Sequence, residues 1–153
     1  MLAGSGLILQ PRTWLVWNRT GSAPQGLYRL SGEPPALGRW VVVSNRSEAG
    51  NWAETHGYVG PGWPLLKRVA ALPGSEVCRI GATILIDGNA VAVALQRDSE
   101  GRTMPVWSGC HLLGRAEVFV LNDDPRSLDG RYFGPLSAAD LDGVAIPIFL
   151  VTD

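Results

Sequence analysis

Between Pro64 and the Pro73-Gly74 turn the chain runs Leu65-Leu66-Lys67-Arg68-Val69-Ala70-Ala71-Leu72. An apolar run of that length, closed by breakers at both ends, reads as a buried strand more readily than as a helix. Lys67 sits inside it, with two leucines before it and Val69-Ala70-Ala71 after it. Lysine is almost never fully buried without a partner or a task. Desolvation favours the neutral amine, so a lysine held there can act as a base near neutral pH. The plainer alternative is a lysine that snorkels into water from an edge strand. The choice between them depends on whether the chain also supplies a nucleophile that needs such a base.

The same punctuation recurs along the chain. Its 153 residues include 19 glycines and 11 prolines at short intervals, the spacing of many short strands and turns rather than of a helical bundle. Trp14-Leu15-Val16-Trp17, Leu27-Tyr28-Arg29-Leu30, Arg39 to Ser44, Ala116 to Leu121 and Ala145 to Val151 read as strands. Ile84 to Val93 reads as a hairpin turning at Asp87-Gly88-Asn89. Ser47 to His56 reads as a short helix with Ser47 as N-cap and Gly57 past its end, and Ser137 to Leu141 as one helical turn capped by Ser137. A single domain spanning residues 1–153, mainly antiparallel β with one or two short helices, is the expectation.

Several functions are disfavoured. Charged residues make up 18 % of the chain and the net charge is −1, so no basic patch for nucleic acid is visible. The two cysteines, Cys78 and Cys110, and the two histidines, His56 and His111, have no metal-ligand spacing, so neither a metal nor a cofactor is expected. Near the start, Gly6-Leu7-Ile8-Leu9 belongs to an apolar run that stops at Gln10-Pro11-Arg12, short of the roughly 20 residues that cross a bilayer. Residues 1–10 read either as the end of a membrane anchor or as an ordinary first strand.

No Ser-His-Asp set, paired carboxylates or Gly-rich phosphate loop stands out. What remains is a hydroxyl nucleophile with a lysine base, which needs the amine neutral, shielded from water and close to the serine oxygen. Asn18-Arg19-Thr20-Gly21-Ser22-Ala23-Pro24-Gln25-Gly26 is a turn-rich loop between two strands. Most serines in such loops only shape the turn. Such a loop can also hold a hydroxyl out from a rigid scaffold.

Three stretches taken in order carry a family resemblance: Asn18 to Arg29, Pro64 to Gly74, and Ser127-Leu128-Asp129-Gly130-Arg131-Tyr132-Phe133-Gly134-Pro135. They resemble the signature boxes of type I signal peptidases, above all those of the conjugative-transfer, TraF-type branch. The resemblance runs through nearly all of the chain from Asn18 onward. It implies the antiparallel, partly barrel-like β core that signal peptidases share with LexA-type proteins. It also implies Ser22 as nucleophile and Lys67 as general base, with Asp129 and Arg131 as an ion pair behind the lysine. Ser127 matches the position whose hydroxyl bonds the lysine amine, and Thr20 the one whose hydroxyl helps form the oxyanion hole, beside Ser22 itself. The chain departs from the leader-peptidase pattern in having Ala23 after the serine and Leu121-Asn122-Asp123-Asp124 where Gly-Asp-Asn-Arg opens the last box.

The activity so implied is serine endopeptidase cleavage of an exported, pilin-like precursor bound as an extended strand. The setting is the membrane surface on the periplasmic side of the bacterial inner membrane. In that oxidising compartment Cys78 and Cys110 are expected to form a disulfide. Two other classes stand beside this reading: a LexA-type self-cleaving peptidase, and a non-catalytic β domain that binds peptide or glycan through some of its six tryptophans. Of Trp14, Trp17 and Trp63, at least two are expected in core packing.

Overall fold

The computed structural model describes residues 15–152. The apolar run at residues 2–9, the anchor reading of residues 1–10 and Trp14 lie outside them. Among the described residues eleven strands and two short helices follow one another. β1 (Leu15–Asn18), β2 (Gly26–Ser31) and β3 (Trp40–Val43) precede α1 (Glu48–Thr55). β4 (Leu65–Ala71), β5 (Glu76–Ile80), β6 (Thr83–Ile86), β7 (Asn89–Val93), β8 (Gly109–Leu112) and β9 (Glu117–Val120) lead to α2 (Gly130–Phe133). β10 (Leu136–Ser137), a 3-10 turn over Ala138–Asp140 and β11 (Leu141–Leu150) complete the order.

All pairings are antiparallel. A seven-stranded sheet runs β1-β2-β11-β3-β4-β9-β10, and a four-stranded sheet runs β7-β6-β5-β8. The larger sheet curls into a half-barrel, so the mainly β, antiparallel, partly barrel-like expectation describes the molecule. The caps follow the sequence. The Ser47 side chain accepts from the Gly50 N–H at the start of α1, and the Ser137 side chain accepts from the Ala139 N–H.

One boundary differs from the sequence reading. The last strand begins at Leu141, not at Ala145, because β11 must reach back to pair with Val43 of β3 as well as forward along β2. Cys78 and Cys110 lie within β5 and β8 and face each other across that pair.

β4 is a central strand. Leu65 to Arg68 pair with β3, and Val69 and Ala71 pair with β9. The edge-strand reading of Lys67 is therefore overturned. Side chains alternate across a strand, so Lys67 shares its face with Leu65 and Val69. Those two belong to the main core together with Val41, Val43, Val118, Val120, Leu128 and Tyr132. Leu66 points the other way, into a cluster with Ala23, Tyr28, Val42 and Ala145. A third cluster, which includes Ala71, Val77, Ile84 and Phe119, joins the two sheets.

The remaining tryptophans of the packing expectation also differ from it. Trp17 is 49 % exposed and Trp63 is 40 % exposed. Both stand at the Ser22 end, Trp17 on the edge strand β1 and Trp63 on the loop before β4, and no described layer covers them.

Candidate active site

Lys67 is only 4 % exposed, and its amine donates to Ser127 Oγ at 3.0 Å. Burial lowers its pKa from the ordinary 10.5 to about 8; Asp129 pulls it up, Arg131 pushes it down and Asp124 raises it slightly. Desolvation outweighs the carboxylates, so about one amine in ten is neutral at pH 7 and about half at pH 8.

Behind the lysine lies a buried ion pair. Arg131 Nη1 donates to Asp129 Oδ2 at 2.8 Å, with the two side chains 5 % and 0 % exposed. Arg131 also donates to the carbonyls of Asp124, Ser127 and Asn122. Asp129 accepts the N–H of Asn122 at 2.9 Å and that of Arg131 at 3.1 Å. Burial pushes the Asp129 carboxyl upward, and the Arg131 guanidinium, the backbone donors and Lys67 oppose that push. The turn admits no side chain at its centre. A Cβ on Gly130 would come within 2.6 Å of the Val120 carbonyl oxygen and 2.7 Å of the Phe119 ring.

The Ser22 loop is shaped from inside by Asn18, itself 5 % exposed. Its Nδ2 donates to the carbonyls of Thr20, Ala23 and Pro24, and its Oδ1 accepts the Thr20 N–H at 3.1 Å and the Thr20 hydroxyl at 2.8 Å. Tyr28 adds a hydrogen bond to the Pro24 carbonyl at 2.6 Å. Among the described residues no hydrogen bond uses the Ser22 hydroxyl or N–H, and none joins Ser22 to Lys67. Thr20 has one hydroxyl proton, and here it lies on Asn18 rather than facing an open site.

The structure therefore brings Lys67, Ser127, Asp129 and Arg131 into one buried cluster and places Ser22 and Thr20 on a braced loop beside it. Asn122 connects the two: its Nδ2 donates to the Ser22 carbonyl at 2.9 Å and to the Leu66 carbonyl at 3.2 Å.

Cys78 and Cys110 are joined by a disulfide, with Cα atoms 4.0 Å apart. Glu76 is close by, but both sulfurs are committed to each other, so the trio offers a metal one carboxylate at most. His111 contacts Glu117 at the surface, and His56 stacks on Trp52.

Sequence reasoning missed Arg79 and Trp107. Buried Arg79 donates to the Arg131 carbonyl at 2.7 Å, and the Trp107 indole donates to the carbonyls of Gly130 and Arg131 at 2.9 and 3.1 Å. Strand β5 of the smaller sheet and the loop before β8 thereby grip the turn that carries the ion pair. An arginine two residues before a glycine and a lone tryptophan carry no spacing that would announce this.

The family model described as signal peptidase, peptidase S26, matches residues 1–150. The chain belongs to the signal peptidase family. It is 31 % identical over 160 residues to the plasmid transfer protein TraF of Escherichia coli, covering 95 % of this chain and 90 % of that protein. It is 36 % identical over 143 residues to the conjugal transfer protein TraF of Agrobacterium fabrum, covering 86 % and 80 %. A probable conjugal transfer protein TraF of Sinorhizobium fredii is 36 % identical over 140 residues, covering 84 % and 73 %. Within the signal peptidase family the chain is thus of the TraF type. Among solved structures, a signal peptidase I from Enterococcus faecalis is similar at 24 % identity and a TM-score of 0.41, covering 74 % of this chain and 98 % of that one.

Proposed function

We propose that this signal peptidase family member is a serine endopeptidase of conjugative transfer, with Ser22 as nucleophile and Lys67 as general base. The observation that carries the reading is Lys67 itself: a lysine buried in a central strand, its amine lowered to about 8 and bonded to Ser127. Burying an amine costs stability, and a base is the use that repays the cost.

In the proposed reaction the neutral Lys67 amine takes the Ser22 hydroxyl proton as Oγ attacks the scissile carbonyl. The tetrahedral oxyanion forms, the peptide C–N bond breaks, and the ammonium returns its proton to the leaving amine. Water then attacks the acyl-enzyme with Lys67 again as base, releasing the acid and free Ser22. Ser127 fixes the amine, and the Asp129–Arg131 pair holds the turn that carries Ser127. The Ser22 N–H, which has no acceptor among the described residues, is one oxyanion donor. Thr20 is the second, turning its proton from the neutral Asn18 amide oxygen to the developing anion, since hydrogen bonds to ionised acceptors are roughly twice as strong.

An exported precursor binds as an extended strand in this reading. Among the described residues β1 pairs only with β2, leaving its outer edge without a strand partner, and Leu65 to Lys67 have none on the side away from β3. Trp17 to Thr20 and Trp63-Pro64 line a cleft of about 190 Å³ between these two edges. Main-chain pairing there gives affinity without demanding a particular sequence. Leu15, Trp17, Trp63, the Ile148-Phe149-Leu150 end of β11 and Val151 just past it are exposed, and β11 meets β2 beside Gly26. This apolar rim adjoins the Ser22 loop and fits a membrane surface on the periplasmic side, where a pilin-like precursor would be presented.

The test is cleavage of an extended peptide with small residues before the scissile bond, together with labelling by a serine-acylating signal-peptidase inhibitor. Wild type should cleave, and its acyl adduct should map to Ser22 by mass. Ser22→Ala and Lys67→Met should do neither. A wild-type protein that binds the peptide but never labels would instead be a peptide-binding β domain.

A further inference from the structure

Asn122 lies just past β9, is 2 % exposed, and has every polar atom engaged. Its Oδ1 accepts the Arg68 N–H at 3.0 Å. Its Nδ2 is divided between the Ser22 carbonyl at 2.9 Å and the Leu66 carbonyl at 3.2 Å. Its own N–H donates to Asp129 Oδ2 at 2.9 Å, and its carbonyl accepts from Arg131 Nη2 at 3.0 Å. One side chain therefore holds the backbone on both sides of Lys67 and the backbone of Ser22, while its main chain is fixed by the ion pair.

No other side-chain hydrogen bond among the described residues reaches from the Ser22 carbonyl to β4. The loop is otherwise braced by hydrogen bonds from Asn18, Gln25 and Tyr28 within its own hairpin, by the Val151 N–H on the Gln25 carbonyl, and by contacts without hydrogen-bond direction, Ala23 in the cluster with Leu66 and Arg19 over Trp63. Asn18 and Tyr28 can set the shape of the loop but not its distance from the lysine strand. The two carbonyls share one nitrogen, so they cannot separate without breaking a buried hydrogen bond. An amide suits the place because it accepts on one side and donates twice on the other; a carboxylate would face two carbonyl oxygens, and an aliphatic side chain would orphan three backbone groups.

We infer that Asn122 is the positioning residue that couples the nucleophile loop to the lysine strand and so sets the Ser22–Lys67 approach. This rests on the Ser22–Lys67 reading above and adds to it the group that makes the two halves of the site one rigid unit. Asn122 touches neither substrate nor proton; it acts through Ser22 and Leu66.

The predicted signature follows from where the Lys67 shift comes from. Burial of the amine, not Asn122, lowers it. Asn122→Ala should therefore lower the plateau kcat by about 10²-fold, the cost of misplacing a reacting group by roughly 1 Å. KM should stay within about threefold, and the pH midpoint should stay near 8. A loss that was merely structural would let water reach the amine and move the midpoint up towards 10.5.

The experiment measures kcat, KM and the pH profile of wild type and Asn122→Ala on one peptide substrate, with Ser22→Ala and Lys67→Met alongside. A folded Asn122→Ala with kcat within about threefold of wild type, or with its midpoint displaced upward, overturns the positioning role. If Ser22→Ala or Lys67→Met cleaves like wild type, the parent reading falls and takes this one with it. If both are inactive while Asn122→Ala is unimpaired, only the positioning role falls. Should Asn122→Ala fail to fold, the wild-type protein decides. The side-chain amide resonance of Asn122 should shift when a serine-acylating inhibitor loads Ser22, because Nδ2 donates to that residue's carbonyl. An unmoved resonance on a fully acylated protein overturns the coupling.

Discussion

Replacing Lys67 by methionine should make the protein more stable at pH 7 while abolishing its activity. The amine has a pKa of about 8 in the folded chain against an ordinary 10.5. Each unit is worth about 1.4 kcal/mol, so keeping the ammonium buried costs the folded state about 3 kcal/mol. The cost is present in full below pH 8, where both states carry the proton. Between pH 8 and 10.5 the unfolded chain binds more protons than the folded one, so wild-type stability rises with pH and the penalty is gone above 10.5. Methionine has nearly the same length and no charge, but it gives up the bond to Ser127 Oγ, worth about 1 kcal/mol. The variant should therefore be about 2 kcal/mol more stable than wild type at pH 7, and about 1 kcal/mol less stable above pH 10.5. Urea unfolding with the disulfide intact, at a series of pH values and with unchanged m-values, reads the difference directly. A difference that does not change with pH, or a variant less stable at pH 7 than wild type, would refute the buried-ammonium argument.

Peptidase activity should rise with pH along the same titration, with its midpoint near 8 and a plateau well below 10.5; Lys67→Arg should be inactive throughout, since guanidinium does not surrender its proton. A flat rate between pH 6 and pH 9.5 would exclude Lys67 as the base. Thr20→Val should lower kcat by about 10²–10³-fold with KM little changed, and Thr20→Ser should keep most of the activity. If Thr20→Val stays within about threefold of wild type, its hydroxyl serves only Asn18. Reducing the Cys78–Cys110 bond, which spans 32 residues, should cost roughly 3–4 kcal/mol in denaturant. Intact mass after denaturing alkylation without reductant should show no modified thiol, and two alkylated thiols would rule the bridge out.

The sequence alone determined the class of architecture, the helix caps and the lysine. Glycine and proline fix local dihedrals, so strand ends at Pro64 and Pro73-Gly74, the Ser47 cap and the Ser137 cap are written in neighbouring residues. A charged residue inside an apolar run is likewise a local anomaly, legible before any fold is known. Ser127, Asp129 and Arg131 are named through the resemblance of the last box to the signal peptidase signature; Asp129 and Arg131 are partners two residues apart, but Ser127 meets Lys67 across 60 residues. Only the tertiary structure decided that β4 is central rather than an edge, because strand order is a matter of which distant segments pair, and β3 and β9 come from either side of it in sequence. The same holds for Asn122, Arg79 and Trp107. Asn122 reaches a carbonyl 100 residues away, Arg79 one 52 residues away and Trp107 one 24 residues away. Hydrogen bonds across such distances leave no periodicity in a sequence, and an asparagine in a polar loop looks the same whether it faces water or ties two halves of a site together.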